Sequence, residues 1–297
     1  MPNQPDGDEF LFEWLNSDAG VFFRHGGLLE SVATPHQKLE IYETPLLGKM
    51  FRLDGCNMTS ERDEFFYHES LVHPGAVSQD CPRSALVVGG GDGGSIEELL
   101  KHPTIERVVM AELDAEVVRV ARTHFDAVHR GALDDRRLEI RIGDGFAFLA
   151  ATREKFDLIL MDLTDPVGPA EALYTTAFYH AADRVLNPAG TLSLHLGSPF
   201  FDPRRFATAM GCLFAAFAIV RPYFVHIPLY GANWGMACAS QRTDPLALSA
   251  TDVDTRLSRR AITRLQYFNG DMHRAGFALP NFVRELLATR ADFSGRP

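Results

Sequence analysis

The stretch Ser84-Ala85-Leu86-Val87-Val88-Gly89-Gly90-Gly91-Asp92-Gly93-Gly94-Ser95-Ile96-Glu97-Glu98-Leu99-Leu100 reads as a strand, a glycine turn with an acid in it, and the start of a helix. Glycines let the backbone turn tightly and let a ligand approach the main chain. Free amides at the start of a helix favour an anion. Asp92 works against that. The turn therefore asks for a ligand that needs glycine room beside a negative charge.

Outward from this turn, apolar strands alternate with amphipathic helices, the texture of a parallel α/β sheet. Strands are expected at 84–88, 107–112, 138–142, 156–161 and 190–196, with helices near 95–101, 114–125, 145–151, 172–186 and 203–217. Two more strands, near 220–227 and 233–239, are joined by Pro228 to Ala232, a loop that allows an antiparallel pair but no crossover. Upstream, residues 10 to 60 are strand-rich, Leu53-Asp54-Gly55 marks a turn, a short helix spans Asp63 to Val72, and Pro74-Gly75 through Pro82 reads as a linker. The tail, 250–290, is helical with an interruption at Pro280. The expected fold is α/β: a methyltransferase-like Rossmann fold, mostly parallel with an antiparallel last strand, over 61–297, after a small N-terminal β domain over 1–60.

Composition bounds the function. The 297 residues are 46% hydrophobic and carry a net charge of −10, which argues against a nucleic-acid partner and suits a cationic substrate, although ordinary solubility also accounts for the charge. Cys56, Cys81, Cys212 and Cys238 are widely spread, and the eleven histidines lack ligand spacing, so neither a disulfide framework nor a metal site is expected. Met1 to Asp8 lacks the basic and apolar regions of a signal peptide, and no apolar run is long enough to cross a membrane. The chain reads as soluble and cytoplasmic, with no membrane partner.

Four positions near strand ends carry the chemistry. Gly89, Gly91 and Gly94 satisfy a glycine fingerprint, and Glu112 ends the next strand, where an acid suits ribose hydroxyls. Dinucleotide dehydrogenases and enzymes that use S-adenosyl cosubstrates share that pattern. Asp92 separates them: a pyrophosphate about 4 Å from a unit negative charge loses several kcal/mol at intermediate dielectric, whereas an amine gains. Asp144-Gly145 follows the third strand, where Asp144 suits an adenine amino group or caps the next helix, two compatible roles. The fourth strand ends in Asp162-Leu163-Thr164-Asp165-Pro166. Asp162 follows an apolar strand and is expected to be partly desolvated, able to take a proton or align an amine. Asp165-Pro166 also makes a turn starter.

These motifs resemble the polyamine aminopropyltransferases, above all the spermidine synthases. The resemblance also takes in Gln37, Leu53-Asp54-Gly55 and Glu61 to Glu69 upstream, Gly168-Pro169-Ala170, and Ile227-Pro228-Leu229-Tyr230 and His273 to Pro280 downstream. It covers about residues 10 to 285. It implies transfer of the aminopropyl group of decarboxylated S-adenosylmethionine, a co-substrate rather than a prosthetic group, to putrescine, giving spermidine and methylthioadenosine. In that reading Gln37, His68, Gly89, Asp92, Glu112, Asp144 and Gly145 hold the donor. Asp162, Tyr67 and Asp165 are catalytic, and Asp165, Tyr67 and Tyr230 hold the acceptor. The resemblance further implies a homodimer or homotetramer through the β domain.

Three departures fall on the acceptor side. His195-Leu196-Gly197-Ser198-Pro199 stands where the family often has a glutamine followed by an acid, Met58 replaces a common glutamine, and the loop Tyr230 to Gly235 is one residue short. They motivate a longer acceptor such as spermidine, agmatine or cadaverine as the alternative. An S-adenosylmethionine-dependent amine N-methyltransferase, a non-catalytic polyamine or nucleoside binder, and a dehydrogenase are the remaining alternatives, and Asp92 opposes the first and last. The Pro/Gly-rich stretch within 162–175 is the expected lid. Phe10, Phe12 and Trp14 are expected in a core or a subunit contact.

Overall fold

A computed structural model describes residues 9–164 and 173–288. The N-terminal strands are β1 (Phe10–Trp14), β2 (Gly20–Arg24), β3 (Gly27–Ala33), β4 (Lys38–Thr44), β5 (Gly48–Leu53) and β6 (Cys56–Ser60). β1 and β2 form a hairpin of their own, while β3 to β6 form an antiparallel meander. The turn expected at Leu53-Asp54-Gly55 joins β5 to β6, with both Asp54 and Gly55 at positive φ as a tight hairpin turn requires.

There follow α1 (Glu64–Ser78), β7 (Ser84–Gly89), α2 (Gly94–Leu100), β8 (Arg107–Glu112), α3 (Ala115–His124), α4 (Asp126–His129), β9 (Leu138–Ile142), α5 (Gly145–Ala151), β10 (Phe156–Asp162), α6 (Thr176–Val185), β11 (Leu186–Gly197), α7 (Pro203–Ala216), β12 (Ile219–Ile227), β13 (Ala232–Ser240), α8 (Ala250–Arg259), α9 (Gly270–Gly276) and α10 (Asn281–Ala288). The sheet order is β12-β13-β11-β10-β7-β8-β9. β9, β8, β7, β10 and β11 pair in parallel, and β13 runs antiparallel between β11 and β12. The last strand thus inserts into the sheet instead of closing its edge.

The strands read as continuous apolar runs because both sheet faces are covered. Leu86, Val88, Val109, Ala111, Ile159 and Met161 face the layer of α5, α6 and α7, whereas Ala85, Val87, Val108, Met110, Leu158 and Leu160 face that of α1, α2 and α3. No helix among the described residues is long and apolar enough to cross a membrane.

The linker expected at 74–82 is largely helix: α1 runs through Pro74 to Ser78. Proline has no N–H for the carbonyl four residues back and normally breaks a helix there. Here that carbonyl, Ser70 O, accepts instead from the Tyr223 hydroxyl on β12 at 2.7 Å. The helix expected over 172–186 starts at Thr176, capped by the Thr175 hydroxyl, which accepts the Phe178 N–H at 3.3 Å.

Candidate active site

The order of connections reverses between β7 and β10, so the crevice beyond their carboxyl ends is where this architecture holds a ligand. Register sets Asp162 beside Gly89 across these two strands. The turn is tied down there, since Gly90 N–H donates to Asp162 O at 2.8 Å. Gly89 sits at φ +81, and a Cβ on it would lie 2.1 Å from Asp162 O, so only glycine serves.

Asp92 occupies the place an anion would take at the start of α2. Its Oδ1 accepts the Gly94 N–H at 3.1 Å, and its Oδ2 lies 3.4 Å from His68 Nε2. The chain thus supplies its own carboxylate at this turn, which explains why a pyrophosphate does not belong here. His68 reaches it from α1 by packing on Gly94, where a Cβ would fall 2.2 Å from the ring. The other ring nitrogen, Nδ1, is 2.8 Å from Glu64 Oε2, and Glu64 Oε1 in turn accepts from Arg130 at 2.8 Å.

Asp162 stands across the crevice from Asp92. One ligand atom from each of His68, Asp92 and Asp162 falls within 4.8 Å of the others, a set convergent on one positive charge. Burial and the neighbouring Asp92 carboxylate raise the Asp162 pKa above its ordinary value, while His68 and the Ser95 and Tyr67 hydroxyls oppose the rise. Asp162 Oδ2, the Tyr67 hydroxyl and the Ser95 hydroxyl are buried together, with both hydroxyls beside the carboxylate. Burial, with Asp162 second, pushes the Tyr67 phenol well above its usual pKa, so it stays protonated.

Glu112, at the end of β8, lies beyond Gly91. It is 7% exposed, and burial raises its pKa to about 7 although its Oε1 accepts the Asp114 N–H at 2.9 Å. Gln37 sits apart from the acid pair, its Nε2 donating to Asp114 at 3.3 Å, and the Thr34 hydroxyl donates to the same oxygen at 2.7 Å. Asp144 is exposed and caps α5 by accepting the N–H groups of Phe146 and Ala147 at 2.7 and 3.3 Å, while Gly145 packs on Val88. Tyr230 donates its hydroxyl to Met58 O at 2.8 Å, and its ring lies 6.1 Å from that of Tyr67. Asp165 and most of the expected lid fall outside the described residues.

Several neighbours escaped the reading of motifs. Glu64 is the partner of His68, and its spacing of four on a helix was the available signal. Ser95, Asp114 and Trp234 offered no sequence signal. His195 is more informative than a departure from pattern. The Trp234 indole N–H, a donor only, points at His195 Nδ1 at 3.3 Å, so the histidine proton belongs on Nε2, which lies 2.8 Å from both Leu163 O and the Tyr174 hydroxyl. Its ring is 6.0 Å from that of Tyr67, so His195 adjoins the crevice.

The sheet order and the acid-bearing glycine turn define a Rossmann-like α/β protein with a ligand crevice at its switch point. A spermine/spermidine synthase domain matches residues 64–248. The polyamine aminopropyltransferase of Nitrosomonas europaea is 49% identical over 284 residues, covering 96% of this chain and 87% of its own. Polyamine aminopropyltransferase 2 of Hyperthermus butylicus is 37% identical over 287 residues, covering 96% and 94%. Among solved structures, a spermidine synthase in complex with the transition-state analogue AdoDATO superposes with a TM-score of 0.89 at 35% identity, over 96% of this chain and 97% of that one. The spermidine synthase of Thermotoga maritima gives a TM-score of 0.88 at 35% identity, over 96% of each chain. The chain belongs to the spermine/spermidine synthase family and is an aminopropyltransferase.

Proposed function

We propose that this enzyme transfers the aminopropyl group of decarboxylated S-adenosylmethionine to putrescine, giving spermidine and methylthioadenosine. The observation that carries the reading is the convergence of Asp92, Asp162 and the buried Tyr67 hydroxyl on one crevice at the topological switch point. Binding of AdoDATO by a spermidine synthase of the same fold supports the donor assignment.

In this account Glu112 accepts the ribose hydroxyls, Gly89 and Gly145 admit the nucleoside, Asp144 takes the adenine amino group, and Gln37 closes the donor side. Asp92 and His68 meet the aminopropyl end. A sulfonium leaves readily, so no acid is needed. The difficulty is the nucleophile, because a primary amine with a pKa of about 10 is mostly protonated at neutral pH. Asp162, Tyr67, Tyr230 and Asp165 bind the diamine and aim one nitrogen at the carbon beside the sulfonium. The ammonium proton passes to Asp162, which frees the nitrogen lone pair, and the C–N bond then forms as the C–S bond breaks with its electron pair on sulfur. A carboxylate with a raised pKa is a better base than an ordinary one. Orientation contributes alongside proton transfer.

The exposed aromatic side chains of Phe12, Trp14 and Phe22 on the β1–β2 hairpin support assembly as a homodimer or homotetramer through the N-terminal β domain, residues 1–60. The acceptor is tested by incubating the purified enzyme with decarboxylated S-adenosylmethionine and a panel of putrescine, cadaverine, agmatine and spermidine, and identifying products by mass. Spermidine from putrescine is expected as the dominant product. Negligible turnover of putrescine beside rapid turnover of a longer amine refutes the choice of acceptor.

A further inference from the structure

Asp92 is not a bare carboxylate waiting for a substrate. Both nitrogens of the His68 ring face acids: Nδ1 faces Glu64 at 2.8 Å and Nε2 faces Asp92 at 3.4 Å. A neutral imidazole has one N–H and serves one of them, whereas an imidazolium serves both. The His68 and Glu64 side chains are 2% and 1% exposed, so their contact is fixed in the interior, while Asp92, 14% exposed, faces the crevice and its solvent.

The surrounding charges identify which acid His68 balances. On α1 it is flanked by Glu64 and the Tyr67 phenol. Arg130, after α4, already neutralises Glu64 at 2.8 Å and reaches Glu97 of α2 at 3.3 Å. His129 of α4 also acts on Asp92, and Asp162 closes the ring from β10. Burial opposes the imidazolium, but Asp92 and Glu64 outweigh it and hold the His68 pKa well above its ordinary value. The Asp92 pKa is held down by His68 in return. Asp92 is thus the carboxylate that the imidazolium compensates.

A substrate ammonium arriving at Asp92 meets a positive charge already in place. We infer that His68 is an exchangeable counter-ion: the ammonium of the bound donor takes over Asp92 Oδ2, and His68 releases its Nε2 proton to solvent while its Nδ1–H stays on Glu64. This rests on the donor assignment proposed above. One N–H bond is broken at Nε2, its proton goes to the buffer, and an ammonium N–H replaces it at the carboxylate. The empty site never holds Asp92 uncompensated, and the filled site avoids two cations side by side. Donor binding is consequently proton-linked, its affinity rising about tenfold per pH unit between the His68 pKa values of the complex and of the free enzyme.

Calorimetric titration of the enzyme at pH 7.5 in two buffers of different ionisation enthalpy tests this, with decarboxylated S-adenosylmethionine as one ligand and methylthioadenosine as the other. Methylthioadenosine lacks the ammonium, so it cancels protons moved by nucleoside binding at Glu112. The donor is expected to release close to one proton more than methylthioadenosine, and His68→Asn to abolish the difference. Should that variant fail to fold, 15N-imidazole NMR of the wild type reads the same event as loss of the proton from His68 Nε2 on adding donor. Equal proton release by the two ligands, or a His68 still protonated on both nitrogens in the complex, overturns the exchange. Methylthioadenosine binding without any donor binding refutes the donor assignment itself, and the exchange with it.

Discussion

Glu112→Gln separates binding from stability at a single atom pair. Burial moves the Glu112 carboxyl from its ordinary 4.5 to about 7, so the folded state holds a proton that the unfolded chain has already lost. The sign follows from linkage: between these values the native state binds more protons, so the stability the protonated carboxyl contributes is complete below the lower value and is lost as pH rises through about 7. At 1.36 kcal/mol for each pKa unit, the ionised carboxylate at pH 9 costs about 3 kcal/mol. Glutamine keeps an oxygen for the Asp114 N–H and forgoes the ionisation, while losing about 1 kcal/mol of hydrogen bonding to the turn. The variant is therefore expected to be more stable than wild type by about 2 kcal/mol at pH 9, raising its melting temperature by about 4 °C, with the gain absent near pH 5. The same substitution removes the charged acceptor proposed for the ribose hydroxyls and should weaken methylthioadenosine binding by about 10- to 100-fold at pH 9. Thermal unfolding at the two pH values and calorimetric binding at pH 9 measure both. A stability difference independent of pH, or undiminished nucleoside affinity, refutes the assignment of a desolvated ribose-binding carboxylate.

Other outcomes follow from the same geometry. Asp162→Asn keeps the shape and removes the proposed base, so kcat should fall about 10²- to 10⁴-fold in a steady-state assay while the melting temperature at neutral pH holds or rises, because burial and Asp92 disfavour the ionised carboxylate. Gly94→Ala sets a methyl 2.2 Å from the His68 ring and should weaken donor binding far more than methylthioadenosine binding, measured by calorimetry. Glu69, buried on α1, accepts the N–H groups of Gln266, Tyr267 and Phe268 at 2.7, 2.9 and 2.7 Å, and Glu69→Ala should cost at least about 3 kcal/mol in denaturant unfolding by leaving all three unpaired.

The parts of the protein legible in its sequence are those set by local pattern. The apolar runs of β7, β8 and β10 mark the sheet, the glycine turn marks its switch point, and the spacing of Asp92, Glu112 and Asp162 marks the strand ends that converge there. What was not legible depends on distant partners. α1 continues through Pro74 because a hydroxyl more than a hundred residues away, on Tyr223, takes the carbonyl that proline frees. The short strands β1, β3 and β6 carry weak alternation and are held by their neighbours in the sheet. The turn shows Asp92 as an acid but not its counter-charge, which comes from His68 and, behind it, from Glu64 and Arg130. His195 looked like a lost contact, and its proton is placed by an indole that meets it only in the folded chain.

The central claim is that an acid stands where other nucleotide turns receive a phosphate, and that it selects a cationic donor. Supplying the enzyme with putrescine and either decarboxylated or intact S-adenosylmethionine, and identifying every product by mass, tests it most directly. A carboxylate about 4 Å from an uncompensated unit negative charge at an effective dielectric near 20 loses about 4 kcal/mol; His68 offsets part of the Asp92 charge, which leaves a discrimination of at least about 10-fold against intact S-adenosylmethionine. The account predicts aminopropylated amine and methylthioadenosine from the decarboxylated donor and at least that much less turnover of the intact one. A methylated amine formed from intact S-adenosylmethionine, or equal use of the two donors, would contradict it.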